Sequence, residues 1–349
     1  MKLQAIDLFC GVGGLTCGLR NSGIEVIAGV DIDSSCEFPY ETNNHAKFIC
    51  GDIGALNSTE IDSLYADDVQ HKVLVGCAPC QPFSTHSHKY KDKESDARWN
   101  LVGTFFNHVK EIQPDVVSME NVPGLVKQGV FKNFVENLKA HNYHVCYQIV
   151  YGPDYGIPQT RRRLVLLASK LTTISLIPPT HDRSRPVSIK EAIGSLEPLN
   201  HGEASKDDPL HVCSQLSELN YQRILASKPG GSWRDWDKSL LADCHKKATG
   251  ATFSSVYGRL SWDMPSSTIT TQFYRFGTGR FGHPEQNRAL SLREGAIIQT
   301  FPKNYQFVPS QSQISLTQVG RHIGNAVPPR LGEVIGISIL KHLRSCNRS

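Results

Sequence analysis

The sequence Leu3-Gln-Ala-Ile-Asp-Leu-Phe-Cys-Gly-Val-Gly-Gly14 is a short apolar run that ends in three closely spaced glycines. The apolar part predicts a buried strand up to Phe9, and the glycines predict a tight turn into a helix. A backbone that carries no side chains at such a turn lets a ligand reach the helix N-terminus. The alternative is a tight turn that binds nothing. The dinucleotide-binding pattern fails here, because Thr16 stands where that pattern needs its third glycine.

Further apolar runs in the first half of the chain predict more strands, with helical patterns between them. These runs cover residues 25–30, 47–50, 73–77, 115–119, 144–150 and 164–168. Strands joined by helical crossovers predict an α/β fold with a doubly wound, mostly parallel sheet. Ligands of such sheets bind beyond the carboxyl ends of the strands.

The composition is that of an ordinary globular chain. Of the 349 residues, 39% are hydrophobic and 20% are charged, and no stretch approaches the roughly 18 apolar residues that a membrane span needs. Asp7 comes too early for a secretory signal, so we expect a cytoplasmic protein without a membrane partner. The ten cysteines are scattered, so we expect free thiols, most of them in the core. The formal charge of +4 is compatible with a polyanionic partner but does not establish one.

The character of the chain changes after about Leu171. Prolines and glycines then punctuate short segments without regular alternation, which predicts a second, smaller and irregular domain. Helical periodicity returns in residues 291–299 and again in residues 331–343. We expect the last of these helices to pack back on the first domain.

Two reactive side chains follow neighbouring predicted strands. Cys80 lies between two prolines directly after one strand, which presents its sulfur at the ligand edge of the sheet. Glu120 closes the next strand and shares that edge, although a Glu at such a position is more often a helix cap. The alternatives for Cys77 and Cys80 are a redox pair or half of a metal site. No second Cys or His pair completes a zinc site, and we expect Cys77 to point into the core.

Other polar segments are less specific. Asp31 ends the second predicted strand, where it could accept hydrogen bonds from ribose hydroxyls or simply shape a turn. Gln159, Arg161 and Arg163 alternate before a strand, so they share one face unless they form a solvated basic cluster. The polar residues 84–99 follow Cys80 and predict a mobile lid whose cations meet phosphates, with an ordinary solvated loop as the alternative.

Six motifs occur in one order over nearly the whole chain, and this set resembles that of bacterial DNA cytosine-5 methyltransferases of restriction-modification systems. The motifs are Asp7-Leu-Phe-x-Gly-x-Gly-Gly14, Pro79-Cys-Gln81, Glu120-Asn-Val122, Gln159-x-Arg-x-Arg163, Arg293-Glu-x-x-x-x-Gln-x-Phe-Pro302 and Gly324-Asn-Ala-Val-Pro-Pro329. The chain departs from the usual pattern at three places: Asp31 stands where Glu is commoner, Ala78 replaces a frequent Pro, and Arg321-His322-Ile323 precedes Gly324.

The resemblance implies a Rossmann-like sheet that binds S-adenosylmethionine as methyl donor, without a metal. It implies that Cys80 is the nucleophile, that Glu120 binds the cytosine edge, and that Arg161 and Arg163 help to hold the base and the catalytic loop. The residues implied to surround the donor are Phe9, Gly11, Gly13, Gly14, Asp31, Ile32, Asp52, Ile53, Pro79 and Asn325.

The resemblance also implies the order of the parts and the partners. Residues 1–171 form the catalytic domain, 172–287 the target-recognition domain, 288–323 a hinge and connecting motif, and 324–349 a segment that returns to the catalytic domain. Cationic and aromatic groups at Trp233–Trp236, Tyr257–Arg259 and Tyr274–Phe281 suit contacts with double-stranded DNA, or else they anchor loops by packing. We expect a monomer in the cytoplasm that associates with the nucleoid and shares its site with a cognate restriction endonuclease.

This chemistry accounts for the residue types. Carbon 5 of cytosine is a poor nucleophile until a thiolate adds to carbon 6, and a protonated Glu120 would stabilise the charge that moves toward ring nitrogen 3. The base must be extruded from its duplex to reach the thiol. A tRNA cytosine-5 methyltransferase is the main alternative, although its usual Cys-Phe-Thr signature is absent. A DNA-binding module without catalysis and a dehydrogenase agree less well with the motifs.

Overall fold

The computed structural model describes residues 2–79, 101–247, 250, 252–310 and 312–346. In this part of the chain, seven strands form one sheet. The strands are β1 (Leu3–Leu8), β2 (Glu25–Asp31), β3 (Lys47–Cys50), β4 (His71–Gly76), β5 (Val116–Asn121), β6 (His144–Tyr151) and β7 (Arg162–Ser169). Each lies at a run predicted from the sequence, and the α/β fold with a mostly parallel sheet is confirmed.

The strand order is β3-β2-β1-β4-β5-β7-β6. The first five strands of this order are parallel, whereas β7 is inserted antiparallel between β5 and β6. The strand order changes direction between β1 and β4, and ligands of open parallel sheets bind at such a point. The carboxyl ends of β1, β2, β4 and β5 therefore form the edge that matters for function.

The chain folds into two compact units. The first unit comprises residues 1–151, 162–179 and 327–349, and the second comprises residues 152–161 and 180–326. The first unit contains the sheet, and its helices are α1 (Gly14–Asn21), α2 (Glu37–Asn44), α3 (Ser58–Asp62), α4 (Leu101–Ile112), α5 (Gly129–Ala140) and α10 (Pro329–Cys346).

The core of the first unit forms where helices cover the apolar strands. Phe105 of α4 and Phe134 of α5 stack with ring centroids 5.8 Å apart, and both are buried with Leu74 and Val117 of the central strands. Helix α10 packs on α1 across glycines, so that the backbones approach closely. A Cβ on Gly18 would lie 2.5 Å from the backbone nitrogen of Glu333 and would overlap Pro329.

The second unit is irregular, as the proline and glycine pattern predicts. Its described elements are α6 (Ile189–Ile193), α7 (Glu218–Leu225), α8 (Leu292–Ile298), α9 (Leu316–Asn325) and the short strands β8 (Gly258–Arg259) and β9 (Arg280–Gly282). Trp233, Trp236 and Phe276 form its apolar cluster together with Leu216 and Ile224. None of the helices in the described residues of either unit has the length and hydropathy that a bilayer span requires.

An ion pair is buried within the second unit. Arg288 binds both carboxylate oxygens of Glu294 at 2.7 Å, and the two side chains are at most 1% exposed. Burial raises the pKa of Glu294, but the hydrogen bonds and charge of Arg288 outweigh it and hold this pKa below its ordinary value. Glu294 also caps α8 together with Ser291. The pair therefore fixes the start of α8 from inside the unit.

Candidate active site

The glycine turn after β1 contains three left-handed backbone positions. Phe9 has φ 61°, Gly11 has φ 50° and Gly13 has φ 85°. Gly13 is the N-cap of α1 and no side chain among the described residues caps this helix. The amide nitrogens of its first turn and the positive end of the helix dipole are therefore available to a ligand. This is the turn that the sequence predicts.

Asp31 connects this turn to the end of β2. Its Oδ2 accepts a hydrogen bond from the Gly11 nitrogen at 2.8 Å, and its Oδ1 accepts one from the Asp33 nitrogen at 3.0 Å. Burial raises the pKa of this carboxyl. The turn-shaping role that the sequence left open is therefore present, and the carboxylate keeps some capacity to accept a hydroxyl.

The neighbouring predicted cofactor residues lie at the same edge in the first unit. Ile32 is 71% exposed, which is unusual for an isoleucine and leaves an apolar surface beside the Asp31 carboxylate. Asp52 is exposed, and its Oδ1 accepts a hydrogen bond from Gly54. Ile53 is buried, and its carbonyl accepts a hydrogen bond from His108 Nε2 at 2.9 Å. The first unit thus presents an exposed apolar side chain and two carboxyl groups near this edge of the sheet.

Glu120 lies in β5 and is 2% exposed. Its Oε1 is 2.9 Å from Arg163 Nε of the adjacent strand β7. Oε1 has no hydrogen-bond partner among the described residues, so the guanidinium lies beside the carboxylate without good hydrogen-bond geometry. Oε2 accepts a hydrogen bond from the Cys77 thiol at 2.9 Å. Glu120 is therefore a buried carboxyl with a cation on one oxygen and a thiol on the other, not a helix cap.

The turn after β4 leads to the predicted nucleophile. Asn121 Nδ2 donates a hydrogen bond to the Ala78 carbonyl at 3.0 Å, which ties this turn to β5. Pro79 is exposed. Cys80 itself and the predicted lid at residues 84–99 lie outside the described residues.

Contrary to our expectation, Cys77 does not point into the core. It is half-buried, and its thiol faces Glu120. The alternation of side chains along β4 ends with the strand at Gly76, so the next side chain no longer follows it. The expectation that most cysteines are buried is also wrong: none of the nine described cysteines forms a disulfide, but only Cys10, Cys17, Cys36 and Cys213 are buried.

Arg161 and Gln159 belong to the second unit, in which they brace the backbone. Arg161 is 4% exposed and donates to the carbonyls of Ile269 and Ala326, both at 3.3 Å. Gln159 is fully buried and donates to Ile298 and Gln299. Asn325 is exposed at the end of α9 in the same unit. The roles predicted for Arg161 and Asn325 in the reaction and at the cofactor remain predictions.

Most of the aromatic groups of the second unit that suit DNA contacts are buried. Trp233, Trp236, Tyr274, Phe276 and Phe281 are each at most 8% exposed. Arg259 is 5% exposed and donates to the carbonyls of Ile224 and Glu285. These residues are packing anchors. The exposed cations Arg234 and Arg275 lie over the rings of Trp233 and Tyr274.

The Arg-Glu motif is likewise structural in the second unit. Arg293 forms a bidentate pair with Asp208, with Nε–Oδ2 2.5 Å and Nη2–Oδ1 3.0 Å. Gln299 Nε2 donates to the Ile323 carbonyl at 2.7 Å and so joins α8 to α9.

Comparison with known proteins decides the family. The profile of the C-5 cytosine-specific DNA methylases matches residues 3–341. The chain belongs to this family. It is a DNA (cytosine-5) methyltransferase, and its methyl donor is S-adenosylmethionine.

Individual relatives agree with the family assignment. The Type II methylase M.HgiDII of Herpetosiphon aurantiacus is 49% identical over 97% of this methyltransferase and 95% of its own length. The Type II methyltransferase M.Eco47II of Escherichia coli is 29% identical over 98% of this chain and 80% of its own. These relatives favour DNA over tRNA as the substrate of the methyltransferase.

Solved structures show the same fold. A prophage-encoded E. coli protein described as a DNA modification methyltransferase is 23% identical, with a TM-score of 0.74, and the match covers 98% of this chain and 100% of that one. Spodoptera frugiperda DNMT2 is 19% identical, with a TM-score of 0.65, over 97% and 100% of the two chains. At these identities the similarity concerns the fold alone.

Proposed function

We propose that this methyltransferase modifies a flipped-out cytosine in a specific duplex DNA site through a covalent bond between Cys80 and carbon 6. The proposal rests on one observation above the others, the buried Glu120 carboxyl between Arg163 and Cys77. That carboxyl lies at the carboxyl end of β5, beside the end of β4 from which the chain runs four residues to Cys80. A buried carboxyl with a cationic partner at this edge suits hydrogen bonding to a base.

In the proposed reaction the Cys80 thiolate adds to carbon 6, and the electrons move toward ring nitrogen 3. Glu120 donates a proton or hydrogen bond there, and the Arg163 charge beside it stabilises the same region. S-adenosylmethionine supplies the methyl group, which carbon 5 takes. Removal of the carbon 5 proton by a base then expels the Cys80 thiolate and restores the ring. A role of Arg161 in holding the base and the catalytic loop remains a prediction from the motif.

The donor site of the proposal lies at the ends of β1, β2, β3 and β4. The glycine turn at Phe9, Gly11, Gly13 and Gly14 leaves room for a ligand, since a Cβ on Gly11 would meet nothing within 4 Å. Asp31 and Asp52 accept hydroxyl groups, while Ile32 packs on an aromatic base. Ile53 and Pro79 border the site, and the role of Asn325 at the donor remains a prediction from the sequence motif.

The biological context of the proposal is DNA protection. Type II methyltransferases are named for their restriction-modification systems, and M.HgiDII carries such a name. We propose that this chain acts as a monomer in the cytoplasm and that a cognate endonuclease recognises the same site. The target is read within residues 172–287, and the exposed Arg234 and Arg275 suit phosphate contacts.

Cys80→Ser tests the covalent step. We expect this variant to lose methylation of unmethylated plasmid DNA while its dissociation constant for S-adenosylmethionine stays within about twofold of wild type. Cys146→Ser in β6 is the matched control and should keep its activity. Bisulfite sequencing of methylated plasmid identifies the target, and a 5-fluorocytosine oligonucleotide with that target should then trap wild-type protein. Turnover by Cys80→Ser, or failure to trap, would overturn the assignment of the nucleophile.

A further inference from the structure

A thiol that belongs to none of the six motifs contacts the buried carboxyl of the site. Cys77 Sγ donates to Glu120 Oε2 at 2.9 Å. The other carboxyl oxygen of Glu120, Oε1, lies 2.9 Å from Arg163 Nε. The carboxyl group is thus contacted at both oxygens, from β7 on one side and from the turn after β4 on the other.

The sheet fixes where this thiol lies. Strands β4 and β5 pair in parallel, and their last paired residues are Gly76 and Met119. Cys77 follows the end of β4, and Glu120 is the next residue of β5. The two residues therefore lie side by side at the same edge. On the other side of Cys77, the Ala78 carbonyl is held by Asn121. The Cys77 backbone is therefore restrained at both neighbours, which keeps its Cβ beside the carboxyl.

A glutamate carboxyl needs such restraint. The terminal torsion of a glutamate side chain is broad, so a single contact leaves the plane of the carboxyl poorly defined. The Arg163 contact alone lacks good hydrogen-bond geometry. A second contact on the other oxygen fixes the plane, and burial makes that hydrogen bond stronger than it would be in water.

We propose that Cys77 is a positioning residue of this methyltransferase, whose thiol orients the Glu120 carboxyl toward the edge of the target cytosine. The inference rests on the proposed contact of Glu120 with the base. Cys77 touches neither substrate nor donor in this assignment. It acts by holding Glu120 Oε2, and it must remain a protonated thiol in order to donate.

Two substitutions separate the donor from the space it fills. Cys77→Ala removes the donor with little change in volume, whereas Cys77→Ser keeps a donor on a shorter bond. We expect Cys77→Ala to lower kcat at saturating plasmid DNA by about tenfold, which corresponds to the loss of about one hydrogen bond. The KM values for DNA and for S-adenosylmethionine should stay within about twofold. Cys77→Ser should restore most of the lost kcat.

The rescue by serine gives a readout that a loss of packing would not produce, because serine is smaller than cysteine and restores only the donor. Cys146→Ala in β6 is the control and should leave kcat unchanged. Urea denaturation of all variants tests whether they are folded.

The outcomes are distinct. A Cys77→Ala enzyme with wild-type kcat overturns the inference, and so does a Cys77→Ser enzyme that resembles Cys77→Ala. Glu120→Gln is measured in parallel. If Glu120→Gln keeps full turnover, the proposed role of Glu120 fails, and Cys77 loses its role with it. If Glu120→Gln is impaired and Cys77→Ala is not, only the inference on Cys77 fails.

Discussion

Asp31 serves two purposes through one carboxylate. It holds the glycine turn through Gly11 and orders the chain after β2 through Asp33. A ribose hydroxyl would meet a carboxylate that is already fixed in place, which reduces the entropy lost on binding.

We therefore expect Asp31→Ala to weaken S-adenosylmethionine binding by about tenfold or more, because it removes charged acceptors and loosens the turn. Asp31→Asn keeps one acceptor and should lie between Asp31→Ala and wild type. Isothermal titration calorimetry gives the dissociation constants. An unchanged constant in Asp31→Ala would show that the carboxylate does not contact the donor.

At this scale the sequence predicts residue types better than contacts. The motif around Glu120 and the alternation that leads to Arg163 can be read from the chain, and the structure brings the two side chains together. The contact between Cys77 and Glu120 depends on the register of two strands far apart in sequence. Once β4 and β5 are aligned at Gly76 and Met119, that register indicates the contact, and this is the signal that could have revealed Cys77.

Helix α1, which follows the glycine turn, packs so closely on α10 that the two backbones touch. Gly18 lies against the backbone of Pro329 and Glu333, and Gly332 lies against Leu15, where a Cβ would be 2.7 Å from the carbonyl oxygen. Backbone atoms cannot move aside as a flexible side chain can. The two helices therefore need glycine at the crossing.

Gly18→Ala should lower the free energy of unfolding by about 2 kcal/mol or more, since its methyl group must push the helices apart. Gly129→Ala is the matched control. Gly129 begins α5 with open space around it, so alanine there should be neutral or stabilising by up to about 1 kcal/mol. Urea denaturation measures both. Equal stability of the two variants would contradict this account of the crossing.

Strand positions follow from the sequence, but strand directions do not. All seven strands appear as apolar runs. Burial on both faces of the sheet requires this of β1, β4, β5 and β7, although the edge strand β6 is largely exposed. The antiparallel insertion of β7 between β5 and β6 leaves no mark in hydrophobic periodicity, since either direction buries the same residues. The bracing roles of Gln159 and Gln299 are equally hidden, because each amide binds a backbone distant in sequence.

The two units carry buried ionisable groups that respond to acid in opposite directions. In the second unit, burial lowers the pKa of His283 to about 4, and Arg288 keeps the pKa of Glu294 low. Both groups bind fewer protons when folded, so the stability they give is lost as pH falls. In the first unit, burial raises the pKa of Asp7 to about 7 and lowers the pKa of His342, so these two groups oppose each other there. Asp7 binds more protons when folded, so its contribution becomes more favourable as pH falls from 7 toward 4.

We expect hydrogen exchange, corrected for intrinsic rates, to show a loss of protection in the second unit between pH 7 and 5 while the first unit keeps its own. One group contributes at most about 1.4 kcal/mol per pH unit. Asp7→Asn should remove the Asp7 contribution from the first unit, and His283→Gln should flatten the trend of the second. Equal losses in both units on acidification would refute the assignment of opposite signs.

The crossing of α1 and α10 has a consequence for how the enzyme is made. Helix α1 emerges from the ribosome early, but α10 follows the whole of the second unit in the chain, so α1 has no docking partner until synthesis is almost complete. The donor-binding turn at its N-terminus is therefore supported only late in translation. An interrupted nascent chain therefore lacks that support for its donor-binding turn.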